Sequence, residues 1–194
     1  MTNTKLDQAI AKIDAANAAD PNMMDDNGRS RPVALVHAEK RTAYIHQLTD
    51  HDPSEALLIA ARAQHLRRWE IPRDNYPRDR VGYLKWRSEL KQFHADQTAV
   101  ILSEVGYDET FIERVKAIIL KRQIKQDPEV QAVEDALCLV FLETQFTAFA
   151  QQEADKIIAI VRKTWQKMSP RGHALALKLP LTAADQAIIE QALK

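Results

Sequence analysis

Apolar side chains recur along most of this chain at the three- and four-residue spacing of an amphipathic helix, with few turn signals between the runs. Leu6, Ile10 and Ile13 predict a first helix over about Lys5 to Ala18, ending before Asp20-Pro21-Asn22. Met23 to Pro32 is polar, holds Gly28 and reads as a loop. A second helix covers about Val33 to Leu48. Asp52-Pro53-Ser54-Glu55 supplies the cap, proline and capping-box glutamate that open a third, running to about Trp69. Pro72 and Pro77 break the segment Ile71 to Asp79. A long helix follows over about Arg80 to Glu104, stopped by Gly106. Asp108 caps the next, and Asp127-Pro128 opens the most apolar one, with Val133, Leu137, Val140 and Phe141. Another is expected over about Ala154 to Met168, broken by Ser169-Pro170-Arg171-Gly172, and Thr182 with Asp185 caps a short last helix. No alternating strand pattern of useful length occurs. The expectation is an all-α, single-domain helical bundle.

Composition narrows this further. The 194 residues suffice for one domain with a real core. Residues 1–32 form an N-terminal helix and loop, 33–150 the core bundle, and 151–194 C-terminal helices packed on that core. No apolar run approaches the roughly 20 residues of a bilayer span. The start MTNTKLDQAI lacks the basic-then-apolar pattern of a secretory signal. The single cysteine, Cys138, fits a reducing compartment and reads as a buried structural thiol. A cytoplasmic protein without membrane partners is therefore expected, with homo-oligomer formation left open. Lys+Arg and Asp+Glu are both 27, so any electrostatic signal must be local.

Several polar residues lie on stripes that should face the core. His37 shares a helical face with Arg41, Tyr44, Ile45 and Leu48. His65 lies with Leu58, Ala61 and Arg62, and His94 with Arg87, Leu90 and Ile101. Glu134-Asp135 falls inside the most apolar helix. Buried carboxylates need an arginine, histidine or metal partner. The order His37, His65, Asp135 resembles the HD-domain phosphohydrolases, helical bundles whose His, His-Asp and Asp ligands converge on a divalent metal. That resemblance implies a Mn, Fe, Ni, Co or Zn ion on His37, His65 and Asp135, activating water against a phosphate ester. Glu134 or His94 would orient water or a ligand imidazole. The chain departs from the pattern at Leu66, where HD domains carry Asp. The same residues also read as hydrogen-bonded core histidines and a carboxylate pair satisfied by a buried arginine.

The window HLRRWEIPRDNYPRDRVGYLKWR, from His65 to Arg87, interleaves cations with aromatics. Arg67, Arg68, Arg73 and Arg87 can grip phosphate or carboxylate oxygens, while Trp69, Tyr83 and Trp86 stack on a base or a guanidinium. A small anionic or phosphorylated ligand fits this compact patch better than duplex nucleic acid does. Stacking that merely pins the loop to the bundle, with Asp74 and Asp79 as ion-pair partners, would give the same sequence. The basic segment Lys163 to His173 could fold over such a pocket and add Lys163, Arg171 or His173.

The segments IDAANAADPN, LVHAEKRTAYI, AARAQHLRRWEIPRDNYPRDRVGYLKWR, GYDETFIERV, DPEVQAVEDALCLVFLE and KTWQKMSPRGHALAL resemble the domain-of-unknown-function family DUF4202 over nearly the whole length. The resemblance implies one whole-chain domain and carries no reaction with it. Two functions are thus expected: an HD-like metal-dependent phosphohydrolase of a nucleotide or small phosphate ester, or a non-catalytic module binding an anionic metabolite or acidic protein segment.

Overall fold

The computed structural model describes residues 4–194, and ten α-helices account for most of them. The helices are α1 (Lys5–Asn17), α2 (Val33–Leu48), α3 (Glu55–Ala63), α4 (Arg80–Val105), α5 (Glu109–Ile119), α6 (Pro128–Thr144), α7 (Phe146–Gln152), α8 (Ile157–Lys167), α9 (Pro170–Ala176) and α10 (Ala183–Leu193). Most ends lie where the sequence signals put them. The hydroxyl of Thr182 accepts from Asp185 N, Asp108 caps α5, Asp127 caps α6, and Gly106 closes α4 in the left-handed region at φ 88°. None of the described helices is long and apolar enough to cross a membrane.

The bundle is organised around α6. Val130, Val133, Ala136, Leu139 and Leu142 are buried on successive faces of this helix, which packs against α2, α3, α5, α7, α8 and α9. A helix enclosed on all sides must be apolar all round, and the sequence over 130–142 is, apart from Gln131, Glu134 and Asp135. The helices α1, α4 and α5 close the far side of α3, while α10 lies on α8.

Four expectations need correction. The loop over 23–32 is a two-stranded antiparallel hairpin, β1 (Met23–Asp26) with β2 (Arg29–Pro32), in register Met23↔Pro32 to Asp26↔Arg29. Asn27 (φ 56°) and Gly28 (φ 79°) supply the two left-handed residues of a tight hairpin turn; the strands are too polar to alternate, which hid them. The third helix opens two residues later than the capping motif implies, with Ser54 rather than Asp52 as its cap, and stops at Ala63 rather than Trp69. Arg67 takes φ 55° and turns the chain into a 3-10 turn over Arg68–Glu70. The helix expected over 154–168 begins only at Ile157, with α7 ahead of it. Finally, Ser169-Pro170 does not merely break a helix. It starts α9, with the Ser169 hydroxyl accepting from Gly172 N.

Pro72 and Pro77 lead the connection between α3 and α4 back onto the first turn of α4. There Gly82 has no room for a side chain: a Cβ would lie 2.2 Å from the carbonyl oxygen of Pro77. Gly82→Ala is therefore expected to push this loop off the helix and to destabilise the protein by about 1–3 kcal/mol. Urea denaturation of the variant checks the size. An unchanged midpoint would show that the contact can relax freely.

Candidate functional site

A cavity of about 310 Å³ opens between α2, the turn after α3, the N-terminal half of α4, the turn after α5, α6 and α8. His37, His65 and His94 all line it, as do Glu134, Arg68, Tyr83, Trp86 and Arg87. The structure adds lining residues the sequence did not single out: Arg41, named only as a neighbour of His37, together with Gln64, Lys91, Lys121, Gln145, Thr164 and Lys167. Cys138 reaches the wall too, where burial pushes its thiol up to about 12, so it is inert at neutral pH.

Other expected contributors point elsewhere. Arg67 pairs with Glu70 and donates to Gln97, away from the cavity. Arg73 donates to the carbonyls of Tyr76 and Pro77 and so shapes the loop. Trp69 is absent from the wall. Arg171 is held by Asp50 and the carbonyls of Gln47 and Thr49, and His173 stacks on Trp165 at 4.2 Å while bonding its carbonyl. Lys163 is exposed; its neighbours Thr164 and Lys167 face the cavity instead.

Asp135 is the main correction. Neighbours on a helix point about 100° apart, so Glu134 and Asp135 cannot share a target. Glu134 faces the cavity and is paired with Lys121, with Lys167 3.8 Å away. Asp135 faces α9. Its carboxylate accepts from Ser169 N at 2.9 Å, from the Ser169 hydroxyl and from Gln131 Nε2, and Gly172 presses against it so closely that a Cβ there would sit 2.8 Å from Asp135 Cγ. Asp135 anchors a helix N-terminus, the position where a carboxylate is favoured. The set His37, His65 and Asp135 is therefore not assembled, and among the described residues no group of three or more His, Cys, Asp or Glu is placed to hold a metal ion. With Leu66 fully buried in the core, the residues do not fit the HD-type centre.

What the cavity offers is positive charge and unmet hydrogen bonds. Arg41 is 1% exposed and donates through Nε to Ala61 O at 2.9 Å, yet its Nη2 has no partner. Burial, with the Arg62 and Arg68 charges, lowers its pKa to about 9, so it stays mostly cationic at neutral pH. Arg68 lies over the Trp86 ring at 4.9 Å, and Trp86 is fixed by its indole N–H donating to Ile71 O. Arg87 stands over Tyr83. Arg68 is ringed by protein but open to solvent through the cavity, and burial followed by the Arg87 charge lowers its pKa.

The three imidazoles are held neutral. His94 is 2% exposed; its Nδ1 lies 2.8 Å from the carbonyl oxygen of Leu66. A carbonyl only accepts, so Nδ1 carries the proton and Nε2 keeps a lone pair, which is buried without a partner. That carbonyl is free because α3 ends before it. At His37, Thr144 already donates its hydroxyl proton to Val140 O, so its oxygen accepts from Nε2 at 3.1 Å. Burial lowers both rings to about 4, helped by Arg41 and Lys40 at His37 and by Arg68 and Arg41 at His94; the bond to Leu66 opposes it at His94. Burial and then Arg68 push His65 far below its usual range, and its ring centre is 5.8 Å from that of His94. Two turns that deliver these groups contain non-glycine residues in the left-handed region, Arg67 at φ 55° and Lys121 at φ 57°. Such backbone is held only where surrounding contacts over-determine it.

The depressed histidines set a pH dependence. In the unfolded chain His37 and His94 take up protons near pH 6.5, and in the folded chain only near 4. Between those values the unfolded state binds more protons, so stability falls as pH drops from 6.5 to 4. The loss is at most about 3 kcal/mol per ring. Melting temperatures measured over this window at constant ionic strength should fall, and His37→Gln should flatten the slope; a flat wild-type profile would contradict the neutral assignment.

Comparison with known proteins adds the family alone. No curated protein and no solved structure matches the chain. The model of the family described as a domain of unknown function, DUF4202, matches residues 7–189. With a match over nearly its whole length, the chain belongs to the DUF4202 family.

Proposed function

We propose that the protein binds a small, multiply charged phosphorylated compound in the cavity between α2, α4 and α6. One observation carries this reading. Among the described residues, the buried side-chain polar atoms without a hydrogen-bond partner are Arg41 Nη2, Gln64 Oε1 and His94 Nε2, and all three residues line the same cavity. Buried polar groups are almost always paired, and an unpaired buried guanidinium is expensive. A ligand that brings an anion to Arg41 and donors to Gln64 and His94 would meet all three needs together.

The rest of the wall favours the same class. Six cationic side chains, Arg41, Arg68, Arg87, Lys91, Lys121 and Lys167, face one carboxylate, Glu134. Guanidinium forks suit phosphate oxygens. The same wall carries Leu90, Leu137, Val140 and Phe141, with Tyr83 and Trp86, which would receive an apolar or aromatic portion of the ligand. The volume suits a metabolite rather than a polymer. An acidic protein segment would need an open groove, and Arg41 and His94 lie too deep to reach it.

Thermal shift with inorganic pyrophosphate, ATP, orthophosphate and an uncharged nucleoside tests the reading. Phosphorylated compounds should raise the melting temperature in proportion to their affinity, and the nucleoside should do little. Arg41→Met separates a binding role from a structural one. Removing an unpaired buried charge should leave the unliganded protein as stable or more stable by on the order of 1 kcal/mol. It should also weaken phosphate binding by about 2 kcal/mol, some 30-fold. A variant that loses stability yet keeps the phosphate response would sink the proposal.

A further inference from the structure

Resting on the cavity being a phosphate site, we infer that it selects compounds carrying two or more directly linked phosphates, with Lys91 as the residue that makes the selection. The basis is the pairing of cations on and beside the wall. Between Arg67 and Lys91, three cations that do not line the cavity are paired locally: Arg67 with Glu70, Arg78 with Asp74, and Lys85 with Glu89. Three that do line it are left over. Among the described residues, Arg68, Arg87 and Lys91 make no ion pair. Arg68 lies over the Trp86 ring at 4.9 Å and Arg87 over Tyr83 at 5.7 Å, so neither has its charge neutralised. None of the three is sealed off. Arg68 is exposed, and Arg87 and Lys91 are half-buried, so a ligand entering from solvent can touch each of them.

These cations form a row. Arg87 and Lys91 are four residues apart on α4, which puts them on one face of the helix about 6 Å apart along its axis. Arg68 is held at the Arg87 end by Trp86, the residue before Arg87. Burial and then Arg87 lower the pKa of Arg68, while burial, then Lys121 and Arg87, lower that of Lys91; Arg87 acts on both and lies between them. Lys91 also feels Lys121 and Lys167, but there Glu134 already supplies the negative charge. The accessible charge still unmatched therefore runs from Arg68 through Arg87 to Lys91. A phosphate monoester brings up to about two negative charges on a single phosphorus and leaves part of this row unmatched. A second phosphate joined through one bridging oxygen adds both charge and length, so that each cation meets oxygens of its own. Phosphates at opposite ends of a sugar are spaced more widely than one turn of α4 and match the row less well.

Isothermal titration of the full chain with orthophosphate, pyrophosphate and fructose bisphosphate phosphorylated at its two ends tests this. Pyrophosphate should bind about tenfold or more tightly than orthophosphate, and more tightly than the sugar bisphosphate. Lys91→Met keeps the apolar stem and removes the charge. In that variant the ratio of pyrophosphate to orthophosphate affinity should fall about tenfold, and Lys91→Arg should restore it. Lys85→Met removes an exposed cation of the same helix that pairs with Glu89 and does not line the cavity, so it should keep the wild-type ratio. The wild-type series decides the ligand class whether or not the variants fold. Equal affinity for orthophosphate and pyrophosphate, or a sugar bisphosphate that binds as tightly as pyrophosphate, would overturn the selection and leave the phosphate site standing. An unchanged ratio in Lys91→Met, or the same fall in Lys85→Met, would overturn the role of Lys91. No binding of any of the three compounds would remove the phosphate site itself.

Discussion

Positive charge held away from water without a matching carboxylate is the constraint around which this molecule is arranged. Arg41 sits in the core with one of its nitrogens satisfied by the Ala61 carbonyl and another satisfied by nothing. Arg62 and Arg68 raise the local potential further. Elsewhere the bundle neutralises its cations: Arg62 with Asp14, Arg31 with Asp26 and Glu39, Arg114 with Asp127 and Glu129. Among the described residues, the buried cationic side chain with an unpartnered nitrogen is Arg41, in the wall of the cavity, the kind of local inconsistency expected of a functional site.

The same positive field explains the histidines. Low exposure and neighbouring guanidinium groups both disfavour protonation, so three imidazoles that would each titrate near neutrality in water stay uncharged. A neutral imidazole keeps one nitrogen as a hydrogen-bond acceptor; a protonated one has none. Glu134 does not reverse this. Its carboxylate is engaged by Lys121, and the two lysines beside it keep it ionised despite burial.

Packing around α6 frames the cavity. Asp135, one residue from Glu134, faces α9 and fastens the Ser169 turn, which follows α8 and its cavity residues Thr164 and Lys167. Trp86 is pinned to the Ile71 carbonyl and carries Arg68 on its face. The loop that sequence reading cast as either an anion site or a pinning device is thus divided. Arg73 shapes the chain, while Arg68 and Arg87 line the cavity.

The all-α architecture was legible without coordinates, because helical periodicity and caps are local: Thr182, Asp108, Asp127 and Gly106 act within one turn of their own position. That His37 and His94 occupy inward stripes could be read in the same way, whereas His65 lies in the turn beyond α3. The hairpin at Asn27-Gly28 was signalled by its turn, though its polar strands carry no period. What tertiary structure alone decided is direction and pairing. A stripe does not say whether Asp135 meets a metal, an arginine or the start of α9, nor that the Leu66 carbonyl would be released to orient His94. Those outcomes depend on where remote helices cross: helical spacing sets the 100° between Glu134 and Asp135, but not which element each of them then meets.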